Sequence, residues 1–326
     1  MNRTPSPKAE AMGSALASII DNVATQYYNP AALADVNGLN FAYSYSSPYY
    51  TLKNAGFNYW GLSCNINQRH SVALSTYSFS TGLQYLYPSS SRNTKQDNLA
   101  TGVYTLSYSL KVTESFFLGT NFNYFYDEVP NGPADKARVK TYPIDLGVLK
   151  HIPLYENNNH RQSLSIGSSI RNLNNSHVEL SGEKQWLPSI LRFAISYEYT
   201  IFKNTASELD PLSVTAIAEY QDVLNSGFYT SIKLGGEVRL YDLISLRGGY
   251  FRESLDNTSS LNGLDKVSRF TYGFGLYLPL QKIIDKHLPF ELIFSYTSLN
   301  QASFVRDFDN WGKYSLAGIC IKYIDL

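Results

Sequence analysis

The sequence predicts an all-β fold, an antiparallel transmembrane β-barrel of about fourteen strands preceded by a short N-terminal plug or hatch segment. Apolar and polar residues alternate with period two through most of the chain after residue 38. The chain contains 27 Tyr and 17 Phe, yet charged residues make up only 17% of it, below the roughly 25% typical of soluble domains. No run approaches the ~20 consecutive apolar residues of a transmembrane helix. Strands are therefore the elements expected to cross a membrane.

The alternation begins at Leu39, Phe41, Tyr43 and Tyr45. Most repeats are close to the 9–11 residues that a tilted strand needs to cross a bilayer. An even number of such strands lets an antiparallel meander close without a free edge. The predicted strands are centred on residues 39–45, 58–66, 72–76, 104–112, 118–126, 142–148, 164–170, 191–199, 214–220, 228–234, 244–250, 270–278, 290–296 and 319–323.

Alternation alone also fits a soluble sandwich with one solvated face. Long strands and pairs of Tyr or Phe near strand ends favour the barrel, because aromatic residues gather at both membrane interfaces. We expect long polar loops at one end of the barrel and short turns at the other. The predicted long loops are residues 88–98, 127–140, 172–189, 203–211, 252–268 and 301–313.

The chain divides into two predicted parts, the plug at residues 1–37 and the barrel at residues 38–326. Small residues dominate the start of the plug and are followed by Asp21-Asn22 and the aromatic pair Tyr27-Tyr28. The ring of Pro30 disfavours a helical conformation for the residue before it, Asn29. We therefore expect Asn29 to be the N-cap of a short helical turn that begins at Pro30.

This order of residues, ending in Asn-Pro-Ala-Ala-Leu at 29–33, resembles the N-terminal signature of the FadL and PorV/PorQ superfamily of Gram-negative outer-membrane barrels. The family usually has a Gly-rich run, Asp-Asp or Asp-Asn, and then Asn-Pro-Ala-Gly-Leu. In this chain Ala32 replaces that Gly, and Gly13 is the only glycine of the preceding run. The resemblance implies a hatch motif formed by Asp21, Asn22, Tyr27, Tyr28, Asn29, Pro30 and Ala31.

The resemblance implies two functions of different classes. The main hypothesis is a FadL-like channel for uptake or passage of small hydrophobic compounds, with outer-membrane lipids and a hydrophobic small molecule as partners. The alternative is a PorV/PorQ-type accessory barrel of the type IX protein secretion machinery in Bacteroidetes-like bacteria, whose partner is a larger outer-membrane complex. The expected location is the bacterial outer membrane, reached with a signal peptide absent from this chain.

Several other classes of protein are disfavoured. The 27 basic and 27 acidic residues give zero net charge, so no global field attracts nucleic acid. The five histidines and the two cysteines, Cys64 and Cys320, follow no metal-ligand spacing, and we predict neither a metal site nor a disulfide. The chain carries no nucleophile, phosphate-loop or metalloprotease motif. We therefore expect no cofactor and no enzymatic activity.

Overall fold

A computed structural model shows the arrangement of the chain. It describes residues 4–46, 55–85, 96–130, 136–180, 182–201, 209–224, 229–255, 266–284, 288–300 and 313–324. The helices among these residues are short: α1 at Pro7–Ala11, 3₁₀ helices at Val23–Tyr27 and Pro30–Asp35, and α2 at Leu280–Ile283. No helix in this part of the chain is long and apolar enough to cross a membrane.

The rest of the described chain is mainly strand. The strands are β1 Leu39–Ser46, β2 Gly56–Asn65, β3 His70–Tyr85, β4 Gln96–Thr113, β5 Phe116–Pro130, β6 Lys136–Thr141, β7 Ile144–Glu156, β8 His160–Arg171, β9 His177–Leu180, β10 Glu183–Trp186, β11 Ile190–Ile201, β12 Leu212–Val223, β13 Tyr229–Leu240, β14 Ile244–Leu255, β15 Lys266–Pro279, β16 Phe290–Asn300 and β17 Lys313–Tyr323.

The strands close into a ring in which neighbours are antiparallel. β1 pairs with β2 on one side and with β17 on the other, with Leu39 opposite both Cys64 and Tyr323. The other ring neighbours follow one another along the chain, except that β8 pairs directly with β11. Because β4 also pairs with β5, the ring formed by the described strands is closed, and closure removes the exposed edge of an open sheet.

β6 and β7 occupy one position in this ring. Both pair with β5, where Thr141 lies opposite Phe125 and Ile144 lies opposite Phe122. Pro143 lies between the two strands, and proline lacks the N–H that a strand ladder needs. β9 and β10 form a separate hairpin outside the ring. The predicted fourteen-stranded antiparallel barrel is therefore confirmed.

The two ends of the barrel are distinguished by their connections. At the turn end, residues 66–69, 114–115, 157–159 and 241–243 join consecutive strands. The opposite end is the loop end. The predicted loop 127–140 is wrong, because residues 127–130 belong to β5 and residues 136–140 to β6. The connection between β11 and β12 is at the turn end, since successive connections of an antiparallel meander alternate between ends, so the expectation that all the long loops share one end is also wrong. The predicted loop 172–189 joins β8 to β11 and contains the β9–β10 hairpin.

Strand length is less uniform than the sequence predicted. β3, β4 and β5 have 16, 18 and 15 residues, and they extend beyond their neighbours because they pair with one another and with β6 toward the loop end. The predicted loops 88–98, 252–268 and 301–313 lie largely outside the described residues, and so does His287.

The two faces of the wall differ in polarity. In β1 the outward Leu39, Phe41, Tyr43 and Tyr45 are exposed and alternate with buried neighbours such as Ser44. The same alternation carries exposed Leu, Ile, Phe and Tyr around the outside of the other strands, while small and polar side chains face inward. An apolar exterior around a polar interior is the arrangement of a membrane barrel.

Candidate functional site

The N-terminal segment, residues 4–36, occupies the interior of the barrel. It lies close to β4, β5 and β7 on one side and to β14, β15, β16 and β17 on the other. Its apolar side chains pack on inward-facing wall residues, for example Val23 and Leu33 in a buried cluster with Ala42 and Ala73. Most of its residues are buried and the others are partly buried. The segment therefore fills much of the barrel interior.

Glycines in the wall allow the backbone of the segment to approach closely. A Cβ atom added at any of these positions would lie less than 3.0 Å from an atom of the segment. Gly235 and Gly249 pair opposite each other without a register shift, and close approach of the segment is the reason for their small size. The glycines that contact the segment in this way are Gly119, Gly147, Gly167, Gly235, Gly249 and Gly273.

Asn29 connects the segment to itself and to the wall. Its Oδ1 accepts a hydrogen bond from the Ala31 N–H at 3.0 Å, so its predicted role as N-cap of the helical turn at Pro30 is confirmed. Its Nδ2 donates to the carbonyl oxygens of Ala17, at 2.8 Å, and of Val148 in β7, at 2.9 Å. Asn29 is fully buried, and all three bonds satisfy polar groups that burial would otherwise leave unpaired.

Asp21 and Asn22 are held on the other side of the segment. Asn22 Oδ1 caps the first 3₁₀ helix through the Ala24 N–H, at 2.8 Å. Lys8 Nζ lies 3.3 Å from Asp21 Oδ1 and 3.4 Å from Glu237 Oε2 in β13. Glu237 in turn accepts from Arg247 Nε at 2.6 Å. A chain of alternating charges thus connects the segment to two wall strands.

This chain of charges shifts the pKa values of its members in the segment. Burial alone would raise the pKa of the Asp21 carboxyl, but the positive charges of Lys8, Lys322 and Arg247 hold that pKa below its ordinary value. Burial alone would lower the pKa of Lys8, but Asp21 and Glu237 hold it above its ordinary value. Both groups are therefore charged at neutral pH.

The aromatic pair of the motif lies between wall arginines. The Tyr27 ring is 5.3 Å from the Tyr28 ring in an edge-on arrangement. The Arg171 guanidinium lies 4.3 Å from the centre of the Tyr27 ring, and that of Arg192 lies 5.9 Å from the centre of the Tyr28 ring. Cations within about 6 Å of an aromatic face are attracted to it. The structure therefore gathers the predicted motif residues along one segment, although it divides them between two clusters of wall contacts.

The residue that binds the segment most directly was not predicted as part of the site. Glu219 Oε2 in β12 accepts hydrogen bonds from the N–H groups of Leu16 and Ala17, both at 3.0 Å. Its Oε1 lies 3.2 Å from Lys233 Nζ and 3.8 Å from Arg192 Nε. The sequence signal was a charged residue at an inward position of an apolar strand, which needs a buried partner.

Two small cavities lie beside the segment in the described part of the barrel. Their volumes are about 30 and 20 Å³. One water needs about 10–15 Å³ on this scale, whereas an engineered cavity of about 150 Å³ binds benzene. Each cavity is therefore sized for one or two waters and is too small for a hydrocarbon ring. Within the described ranges, no group of three or more His, Cys, Asp or Glu side chains is placed to hold a metal ion.

Several known structures share this architecture. The Pseudomonas putida toluene transporter TodX aligns with 99% of this chain and 98% of its own, at 12% identity and a TM-score of 0.50. This chain has the fold of the FadL-like barrels. A Pseudomonas aeruginosa FadL homologue aligns over 99% of both chains at 12% identity, and the CymD monoaromatic hydrocarbon channel over 99% and 98% at 11%, each with a TM-score of 0.50. No family model and no curated protein matches the sequence.

Proposed function

We propose that this chain is a bacterial outer-membrane channel for small hydrophobic compounds, in which residues 1–37 act as a plug and residues 38–326 form the barrel. The observation that supports it is the FadL-like fold, shared over 99% of the chain with TodX, a toluene transporter, and with CymD, a monoaromatic hydrocarbon channel. The exposed apolar exterior of the wall suits contact with outer-membrane lipids. The similar structures are transporters and channels, and we propose no catalytic activity.

The motif Asp21, Asn22, Tyr27, Tyr28, Asn29, Pro30 and Ala31 is proposed to hold the plug in its closed position. Its members provide the caps, the ion pair with Lys8 and the hydrogen bond to Val148. The two cavities are too small for a hydrocarbon ring. Passage of such a compound beside the segment therefore requires the segment to move away from the wall.

A reversible lock tests this proposal. A Cβ atom at Gly273 would lie 2.7 Å from Ala11 Cβ, so a movement of about 1 Å brings the pair to the ~3.8 Å Cβ separation of a disulfide. We would compare accumulation of labelled toluene in cells that carry the parent protein, the variant with Ala11→Cys and Gly273→Cys, or each single cysteine change. We expect toluene uptake by the double variant to fall on oxidation and to recover on reduction. Oxidation and reduction should not change uptake by either single variant.

Two outcomes would contradict different parts of the proposal. If cells with the parent protein accumulate toluene no faster than cells without it, the channel function is wrong. If uptake is clear but the oxidised double variant, with its disulfide confirmed by mass spectrometry, transports as well as the reduced one, the plug does not have to leave this part of the wall.

The second candidate function is the PorV/PorQ-type accessory barrel of a secretion machinery. The filled interior favours it, because a barrel that serves as a partner needs no path for solutes. Copurification of a tagged chain with secretion components, together with no toluene uptake, would support this candidate over the channel.

A further inference from the structure

The two cavities meet at one side chain. The turn-side cavity, of about 30 Å³, is lined by residues of the turn-end half of the barrel such as Arg247 and Tyr277. The loop-side cavity, of about 20 Å³, is lined by residues nearer the loop end such as Asp145 and Arg171. Tyr59 of β2 lines both, and no other residue does. Its ring is therefore the partition between two spaces that follow the N-terminal segment toward opposite ends of the barrel.

Both cavities are lined by polar as well as apolar groups. Lys8, Asp21 and Arg247 bring charges to the turn-side cavity. The loop-side cavity is lined by Arg171 and Asp145 and by a set of uncharged polar groups. The members of that set are Ser75, Thr105, Asn121 and Asn123. Spaces that hold a water and offer it several polar partners are hydrated, and the polar groups of both linings can act as such partners.

The Tyr59 ring lies flat against the wall because its neighbour on the inner face is a glycine. A Cβ atom at Gly61 would lie 2.5 Å from the Tyr59 hydroxyl oxygen and 3.1 Å from Val23 Cγ2 of the segment. The ring thus fills the narrow gap between wall and segment. Its hydroxyl accepts a hydrogen bond from Gln26 Nε2 at 3.5 Å, longer than an ordinary N–H···O bond of about 2.9 Å, and also has a side-chain hydrogen bond with Ser75.

We propose that the barrel contains a second path, a hydrated route for water and small ions beside the N-terminal segment, which the Tyr59 ring closes. Rotation of this ring about its side-chain bonds joins the two cavities. The segment meanwhile stays bound to the wall through the Asn29–Val148 hydrogen bond and through Glu219. The route differs in chemistry from the hydrophobic transport proposed above and does not depend on it.

Ion conductance in planar bilayers tests the proposal with the full-length protein in KCl solution. We expect the parent protein to be silent and Tyr59→Ala to give stepwise conductance, because the partition is removed. Tyr59→Phe keeps the ring and loses only the hydroxyl, so it should stay silent. Gly61→Ala adds a methyl group where the end of the ring lies, and it should displace the ring and also produce conductance.

Tyr77→Ala is the matched control. Tyr77 lies opposite Tyr59 in β3 and lines the loop-side cavity alone, so its removal enlarges one cavity without joining the two. Conductance by Tyr59→Ala or Gly61→Ala, with Tyr59→Phe and Tyr77→Ala silent, supports the proposal. The proposal is overturned if neither Tyr59→Ala nor Gly61→Ala conducts while both show the heat-modifiable gel mobility of a folded barrel. It is also overturned if Tyr59→Phe or Tyr77→Ala conducts as strongly as Tyr59→Ala. Toluene uptake is measured separately, so failure of one path leaves the other testable.

Discussion

Replacing Glu219 by Ala should loosen the N-terminal segment without removing any residue from it. The change deletes the acceptor of the Leu16 and Ala17 N–H groups, both at 3.0 Å. Hydrogen bonds to charged groups contribute about 1.5–3 kcal/mol each. Lys233, which pairs with Glu219 across two wall strands, also donates to Ser14 O of the segment at 3.3 Å, and we count only the two bonds made by Glu219 itself. We therefore take about 3 kcal/mol, the lower end for two bonds, as the loss in binding of the segment.

Hydrogen exchange measured by mass spectrometry reports this loss. The N–H groups of Ser14 and Ile19 bond to Ala9 O and Leu16 O within the segment, so their exchange does not depend directly on Glu219. If these amides exchange when the segment leaves the wall, a loss of about 3 kcal/mol accelerates exchange by roughly 100-fold, at 1.4 kcal/mol for each factor of ten. Unchanged exchange at Ser14 and Ile19 in a correctly folded Glu219→Ala barrel would refute the reasoning. Glu179→Ala, an exposed carboxylate on β9, is the control and should leave exchange as it is.

Three further predictions concern the wall, the cap and the ion pair. Gly147→Ala places a Cβ against Asn29 Oδ1 and should lower the free energy of urea unfolding by about 1–3 kcal/mol. A Cβ at Gly236 would have its nearest neighbour 3.7 Å away, so Gly236→Ala should change stability little. Equal effects of the two changes would contradict close packing of the segment on the wall. Asn29→Ser keeps an uncharged cap acceptor and loses both Nδ2 bonds, so it should destabilise less than Asn29→Ala, whose loss we put at about 1–3 kcal/mol. The reverse order in urea unfolding would contradict a contribution from the cap. Because the pKa of Asp21 is lowered in the folded protein, its contribution to stability is present above the unfolded pKa of about 3.9 and is lost as pH falls toward the lower folded pKa. Hydrogen exchange in the segment should therefore rise over that acid range in the parent protein. A similar rise in Asp21→Asn would assign the effect to another group.

Local rules were enough to predict the strands and the cap at Asn29. Alternation predicts strands because successive side chains point to opposite faces, and Pro30 restricts the residue before it. The partners of the segment follow from the closed ring instead. Glu219 lies 203 residues from Leu16, and no local sequence pattern near either residue predicts their contact. Gly147 faces Asn29 only because the register of β5, β7 and β8 places it on the inner face at that height.

The interruption of one wall strand and the extension of others could not be predicted from the alternation of apolar and polar residues. Pro143 was counted within one predicted strand, whereas the wall divides there into β6 and β7. The hairpin of β9 and β10 is formed by two four-residue strands, which are too short for periodicity to be distinguished from chance. Length and register in this part of the wall depend on pairing between neighbouring strands, which a single sequence does not display.

The distance along the chain between the segment and its partners constrains the order of folding. Gly13 N donates to Thr271 Oγ1, 258 residues away, and Lys8 pairs with Glu237. The N-terminal segment therefore obtains its last hydrogen bonds only when β15 is in place. Contacts of such high sequence separation form slowly because the intervening chain must first be ordered. Until then Glu219, Lys233 and Glu237 line an unfilled interior, and we expect the segment to take its final position only after these wall strands have assembled.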